Sequence, residues 1–175
     1  MASRRCSPTV LRSASSAALT FALLASCGGG GVGTRGTVSP TPSSRAIAFT
    51  EVVSTAQARH DSGPTLVIGT SDASRATIAR VIPNAGVAWG RVLVAALQGE
   101  QRTGGYSIHI TRIERTGDRL DVHATFTEPA KDAMVTQVLT SPAHVVSIAS
   151  ADASGVREAV LLDESGAERA RTNVS

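Results

Sequence analysis

Tyr106-Ser-Ile-His-Ile-Thr111 and Leu120-Asp-Val-His-Ala-Thr-Phe126 are the two stretches on which the fold turns. In the first, Tyr106, Ile108 and Ile110 alternate with Ser107, His109 and Thr111; in the second, Leu120, Val122, Ala124 and Phe126 alternate with Asp121, His123 and Thr125. Successive side chains of a strand point to opposite faces, so this period of two gathers the apolar residues on one face. Thr116-Gly117-Asp118 between the arms is turn chemistry. The pattern predicts an antiparallel hairpin with one face on a core and the other in water. Ile113 falls out of phase, which predicts a bulge near the hairpin end.

Upstream, the run Val-Ala-Trp-Gly-Arg-Val-Leu-Val-Ala-Ala-Leu from Val87 to Leu97 is apolar almost throughout. Such a run reads as a central strand buried on both faces. Thr65 to Gly69 is a shorter apolar strand after the turn residues His60-Asp61-Ser62-Gly63-Pro64. Ser71 or Asp72 then caps a helix whose Ala76, Ile78, Ala79 and Ile82 share a face until Pro83 ends it. Ala46 to Ser54, with Ile47, Phe49, Val52 and Val53, reads as a first strand with a slip in its phase. Downstream, Val135 to Leu139 and His144 to Ala149 read as strands separated by Ser141-Pro142. Val160 to Leu162 and Glu168 to Thr172 flank Asp163-Glu164-Ser165-Gly166 as a second hairpin, placed at an edge. The expected fold class is therefore α+β, mostly β: an antiparallel sheet or sandwich with one short helix after the second strand. Residues 46–150 form the globular domain, and residues 151–175 a C-terminal tail bearing the edge hairpin.

The N-terminal residues have a different character. Arg4, Arg5 and Arg12 precede the apolar stretch Ala17 to Ala25, which ends at Ser26-Cys27. A charged start, a short apolar segment and small residues before a cut define an export signal, here residues 1–26. The segment falls short of the roughly 20 residues of a spanning helix. Leu24-Ala25-Ser26-Cys27 resembles the bacterial lipobox, in which cleavage uncovers a lipidated Cys. Cys27 is thus expected to carry lipid and to anchor the chain to a membrane. Gly28 follows it rather than the Asp that tends to retain lipoproteins in an inner membrane. The expected location is the bacterial cell envelope, on the outside of the cytoplasmic membrane or in an outer membrane. Residues 27–45 are almost wholly Gly, Ser, Thr and Pro and read as a tether, about 20–25 Å in typical reach.

Processing changes the electrostatics. Of the 17 basic residues three fall within 1–26, and none of the 14 acidic ones does, which leaves fourteen of each. A neutral domain with scattered charge is not a nucleic-acid binder. Cys6 leaves with the signal, so no thiol remains for a disulfide or a thiolate metal site.

Catalytic chemistry finds little footing. His109 and His123 share the polar face of the predicted hairpin and, across a three-residue loop, would be diagonal neighbours about 7–8 Å apart. Two such rings could share a metal in an envelope-surface hydrolase or metal-dependent protein, but no third ligand stands at a fixed spacing. His60 and His144 stand apart in the sequence, no Gly-x-Ser-x-Gly elbow is present, and Asp163-Glu164 sits in a turn. No catalytic residue, resident metal or cofactor is assigned. The feature that stands out is Arg102-Thr103-Gly104-Gly105-Tyr106, where two glycines between apolar strands permit positive φ or close backbone approach. It reads either as a plain hairpin loop or as a loop presenting backbone groups to a partner.

Val92-Leu93-Val94, Thr103-Gly104-Gly105-Tyr106-Ser107-Ile108, Leu120-Asp121-Val122, Glu128-Pro129 and the run from Val135 through Ser141-Pro142-Ala143-His144 to Val146 together resemble the PrcB C-terminal domain family. The resemblance covers about residues 90–148 and extends less firmly back to 46. Ala88 departs from it, where family members often carry an acidic residue. The resemblance implies an exported, non-catalytic accessory of a protease complex. Arg102, Thr103, Gly104, Gly105 and Tyr106 are then the expected partner-binding loop, with an exported protease as the expected partner. Thr103-Gly104-Gly105-Tyr106 also resembles the Thr-Thr-Gly loop of chagasin-type protease inhibitors, although the other two inhibitor loops are not evident. A purely structural envelope protein is the remaining alternative.

Overall fold

The computed structural model describes residues 43–86 and 90–174. The signal 1–26, Cys27 and most of the tether lie outside them, as do Val87, Ala88 and Trp89 at the start of the long apolar run. Among the described residues, nine strands form two sheets. The first sheet takes β1 (Ser44–Ile47), β5 (Ser107–Thr116), β6 (Arg119–Thr127), β8 (Glu158–Leu162) and β9 (Glu168–Asn173), in that order. The second has the order β2 (Phe49–Thr55), β7 (Ala143–Ala149), β4 (Arg91–Leu97), β3 (Thr65–Gly69). Helix α1 (Asp72–Val81) packs on β3, and a single turn, α2 (Ser150–Ala153), links β7 to β8. The mostly β expectation stands, as a sandwich.

The long apolar run explains the layering. On β4, Val92, Val94 and Ala96 join a core between the sheets with Ile110, Leu120, Val122 and Leu161. Leu93, Ala95 and Leu97 point the other way, into a second core with Ile78 and Ile82. These six of the seven β4 residues are buried, so the strand needs cover on both faces and carries no polar alternation.

The predicted hairpin forms as β5 and β6, with Thr116 opposite Arg119 and only Gly117 and Asp118 in the loop. Gly117 takes φ 64°, the conformation its position requires. The register shifts between Ile110 and Arg112, and this bulge turns Ile113 back into the core as its phase predicted.

Three expectations are corrected. The first strand is two strands: β1 pairs with β5 in one sheet, and after Ala48 the chain crosses to pair with β7 in the other. The phase slip is that crossing plus a register shift between Glu51 and Val53, which lets Val52 and Val53 both meet the helix-side core. Consequently the helix follows the third strand. Ser71 caps it through a reciprocal pair with Ser74, but its buried face is Ile78 followed by Ile82, while Ala76 and Ala79 are exposed. Finally, Val135 to Leu139 forms no strand; it runs unpaired across the surface.

Ser44 and Arg45, read with the tether, begin β1. Residues 151–175 supply α2, β8 and β9: β8 lies inside the sheet, parallel to β6, with Ala159, Val160 and Leu161 fully buried, and β9 forms the edge.

Truncating the doubly covered strand should be costly. Leu93→Ala is expected to lower the unfolding free energy by about 2–5 kcal/mol in a denaturant titration, whereas Met134→Ala, on the exposed segment, should stay within about 0.5 kcal/mol.

Candidate functional site

The glycine loop is where three pieces of chain converge. Gln101 and Thr140 exchange both backbone hydrogen bonds, at 2.7 and 2.9 Å. The Thr140 hydroxyl donates to the Thr103 carbonyl at 2.9 Å, and the Gly104 N–H donates to the Thr136 carbonyl at 2.9 Å. A methyl on Gly104 would lie 2.5 Å from Thr136 Oγ1; on Gly105, at φ +90°, it would lie 2.9 Å from the Pro129 side chain. The two glycines are thus needed where the segment after Pro129 is laid against the loop. Gly104 therefore uses its N–H within the chain, Tyr106 is half-buried, and Arg102 is exposed with no ion pair among the described residues.

What the loop holds in place is apolar and faces water. Met134 is fully exposed, Val138 is 46% exposed and Leu139 58%. Beside Leu139 opens a cleft of about 360 Å³, bordered by Arg59, His60, Asp61, Glu100 and Ser141. His60 is fixed there by Nε2 contacts of 3.0 Å to Thr65 Oγ1 and 3.2 Å to the Gly63 carbonyl.

The histidines fall into different settings. His123 opposes Arg112 in the hairpin register, 3.6 Å from Glu114, on the exposed face. His109 stacks instead on His144, with ring centroids 4.2 Å apart. The metal alternative built on His109 and His123 has no support in this geometry, and no cluster of three or more candidate ligands occurs among the described residues.

His144, which the sequence reading left aside, is wholly buried at the seam of the two sheets. Beyond the end of β1, β5 has no second strand neighbour among the described residues, and the Ile110 N–H donates to His144 Nδ1 at 2.9 Å. Nδ1 is thus an acceptor, which makes the neutral ring the Nε2–H tautomer. Nε2 has Glu51 Oε1 at 3.4 Å but outside hydrogen-bonding geometry. With one lone pair engaged and the other nitrogen protonated, this ring can neither ligate a metal nor act as a general base without losing the Ile110 bond. Burial, and then the neighbouring His109, push its pKa below the ordinary 6.5, against the opposing pull of Glu51. The signal for it was a His among the aliphatic residues of the run Ala143 to Val146, in phase with the core residues Val146 and Ile148.

The fold and site define a class: a two-sheet β-sandwich with a helix on one side, whose distinctive surface is a glycine loop clasping an exposed apolar segment. Within that class, residues 92–149 match the family model described as PrcB C-terminal, about a third of the chain, and the resemblance drawn from the sequence is supported. The matched stretch runs from β4 to β7 and contains the loop, the hairpin and the segment it clasps. No curated protein and no solved structure matches the chain.

The buried ring sets a pH dependence. A folded-state pKa below the unfolded value means that the unfolded chain takes up the proton first as pH falls. Stability is then full above about pH 6.5 and is lost progressively below it. In His144→Asn, which keeps an acceptor but does not titrate, the slope of unfolding free energy against pH between about 6.5 and 5 should be reduced.

Proposed function

We propose that this is a non-catalytic lipoprotein whose folded domain binds and stabilises or regulates a partner, an exported protease, at the envelope surface. The observation that carries the reading is the segment of Met134, Val138 and Leu139, held on the surface with its apolar side chains in water. Isolated apolar residues on a surface need no explanation, but three within six residues of one segment held by a built loop are what an interaction site would offer. The cleft beside Leu139 adds polar groups at one end, as interfaces surround an apolar centre with a polar rim. The family's association with an accessory of a protease complex supports the protease as partner. The expected site is therefore the loop Arg102 to Tyr106 together with the segment it positions. Lipid on Cys27, after removal of residues 1–26, would hold that surface near the membrane.

Two measurements test this. Cys27→Ser should abolish incorporation of labelled fatty acid and move the protein out of the membrane fraction; continued labelling would reject the anchor. A photo-reactive residue at position 134 of the full-length protein, irradiated in cells, should form a discrete adduct with an exported protease. That adduct should disappear in Gly105→Val, whose side chain would displace Pro129 and the segment after it. Absence of any discrete adduct in the otherwise unaltered protein would reject the partner-binding reading.

A further inference from the structure

Residues 133–139 are strand-forming sequence without a strand neighbour among the described residues. They run from Ala133 to Leu139 with no turn or bend. Met134, Val135, Gln137, Val138 and Leu139 make no hydrogen bond among the described residues. In an extended chain the N–H and C=O of one residue point to one edge and those of the next to the other. Thr140 pairs with Gln101 and Thr136 accepts from Gly104, so even-numbered residues address the glycine loop. Ser141 pairs the opposite way, donating to the Ala56 carbonyl and accepting from the Ala58 N–H at 2.8 Å. Val135, Gln137 and Leu139 therefore line an open edge that continues the one Ser141 uses.

The other edges of the sandwich are guarded. β1 is four residues long with Arg45 paired to Asp152, the part of β5 beyond it has its Ile110 N–H taken by His144, β2 is bulged, β9 carries Arg169 and Arg171, and five-residue β3 lies against β9. Those are the usual devices against strand addition. Ala133 to Leu139 has no charge and no proline, and all of it but Val135 is exposed.

We infer that this edge receives an extended segment of the partner as an added β-strand, whose end enters the cleft lined by Arg59, His60, Asp61 and Glu100. The inference rests on the partner-binding reading and specifies its chemistry: backbone pairing supplies affinity, and alternate side chains supply selectivity. A second copy of this chain is the poorer occupant. Three alternate residues give two folded domains far less contact than the roughly 1,200–2,000 Å² that stable pairs bury. The edge also stops at Ser141, where the chain's own residues 56–58 already hold it, so the incoming strand must end or turn into the cleft.

The test uses the full-length lipoprotein in detergent and a library of acetylated heptapeptides that alternate aliphatic and polar residues. Binders are expected, and N-methylation of alternate amides on one edge of a binder should weaken it at least about tenfold, with little effect on the other edge. Gln137→Pro removes an N–H from the open edge and should give a similar loss, whereas Glu164→Pro, in the turn between β8 and β9 and away from that edge, should bind within about threefold of the unaltered protein. No binding at about millimolar peptide, or equal effects of the two prolines, overturns strand addition. A concentration-dependent dimer in sedimentation that Gln137→Pro dissociates would assign the edge to a second copy and overturn it as well. If the position-134 protease adduct forms equally in both proline variants, strand addition fails while partner binding stands.

Discussion

Val92, Val94 and Ala96 look into one core and Leu93, Ala95 and Leu97 into the other, so β4 is under cover only if both faces are roofed. β7 beside it repeats the arrangement, with Val146 and Ile148 toward the first sheet and Ala143 and Val145 toward the helix side. That double burial is the constraint from which the rest of the chain's route follows. One roof is the five-stranded sheet; the other is α1 with the turns around it. The polar residues admitted to β7 are matched except at His144 Nε2, which has no hydrogen bond among the described residues. Arg91 reaches Ser147 through its hydroxyl and its carbonyl, at 2.8 and 2.6 Å, and His144 accepts the Ile110 N–H. A buried polar group without such a partner would cost about 1–3 kcal/mol. The His144 contact also crosses between the sheets, joining β7 to β5 at the bulge.

Where the sequence was legible, a single physical cause dictated the pattern. The hairpin of β5 and β6 has one wet face and one dry, so its alternation is clean; β4 has two dry faces, so its run is continuous. The helix cap was legible as Ser71 or Asp72, and the reciprocal pair with Ser74 settles it on Ser71. Sheet membership was not, because Ala46 to Ser54 has strand propensity throughout and nothing local marks Ala48 as the crossing between sheets. The parallel pairing of β8 with β6 is likewise a property of the route through β7 and α2, not of the residues of β8 themselves.

The site was legible in part. Gly104-Gly105 drew notice as glycines between strands, and their structural reason is contact with Thr136 and Pro129 more than twenty residues away. Val135 to Leu139 misled because propensity describes what a segment can pair as, and pairing needs a neighbour that the described residues do not place there. Its exposed Met134, Val138 and Leu139 could not be told from core residues by composition alone. His144 was hidden for the converse reason: its significance lies in the Ile110 N–H that it meets across the sandwich.

The reach of the family match acquires a physical meaning from this. Residues 92–149 take in the two doubly buried strands, the glycine loop and the segment it clasps, but not β1 to β3, α1, β8 or β9. The matched part cannot bury itself. Its β4 and β7 need Ile78 and Ile82 on one side, and its hairpin needs Ala159 and Leu161 beside β6. The flanking elements can therefore vary in sequence so long as they stay apolar on the correct face, because their task is cover. The loop has no such latitude: any side chain at Gly104 or Gly105 would meet Thr136 or Pro129. The stretch the family model recognises holds the glycine loop, where geometry rather than hydrophobicity alone limits the residue, and the exposed segment laid against it.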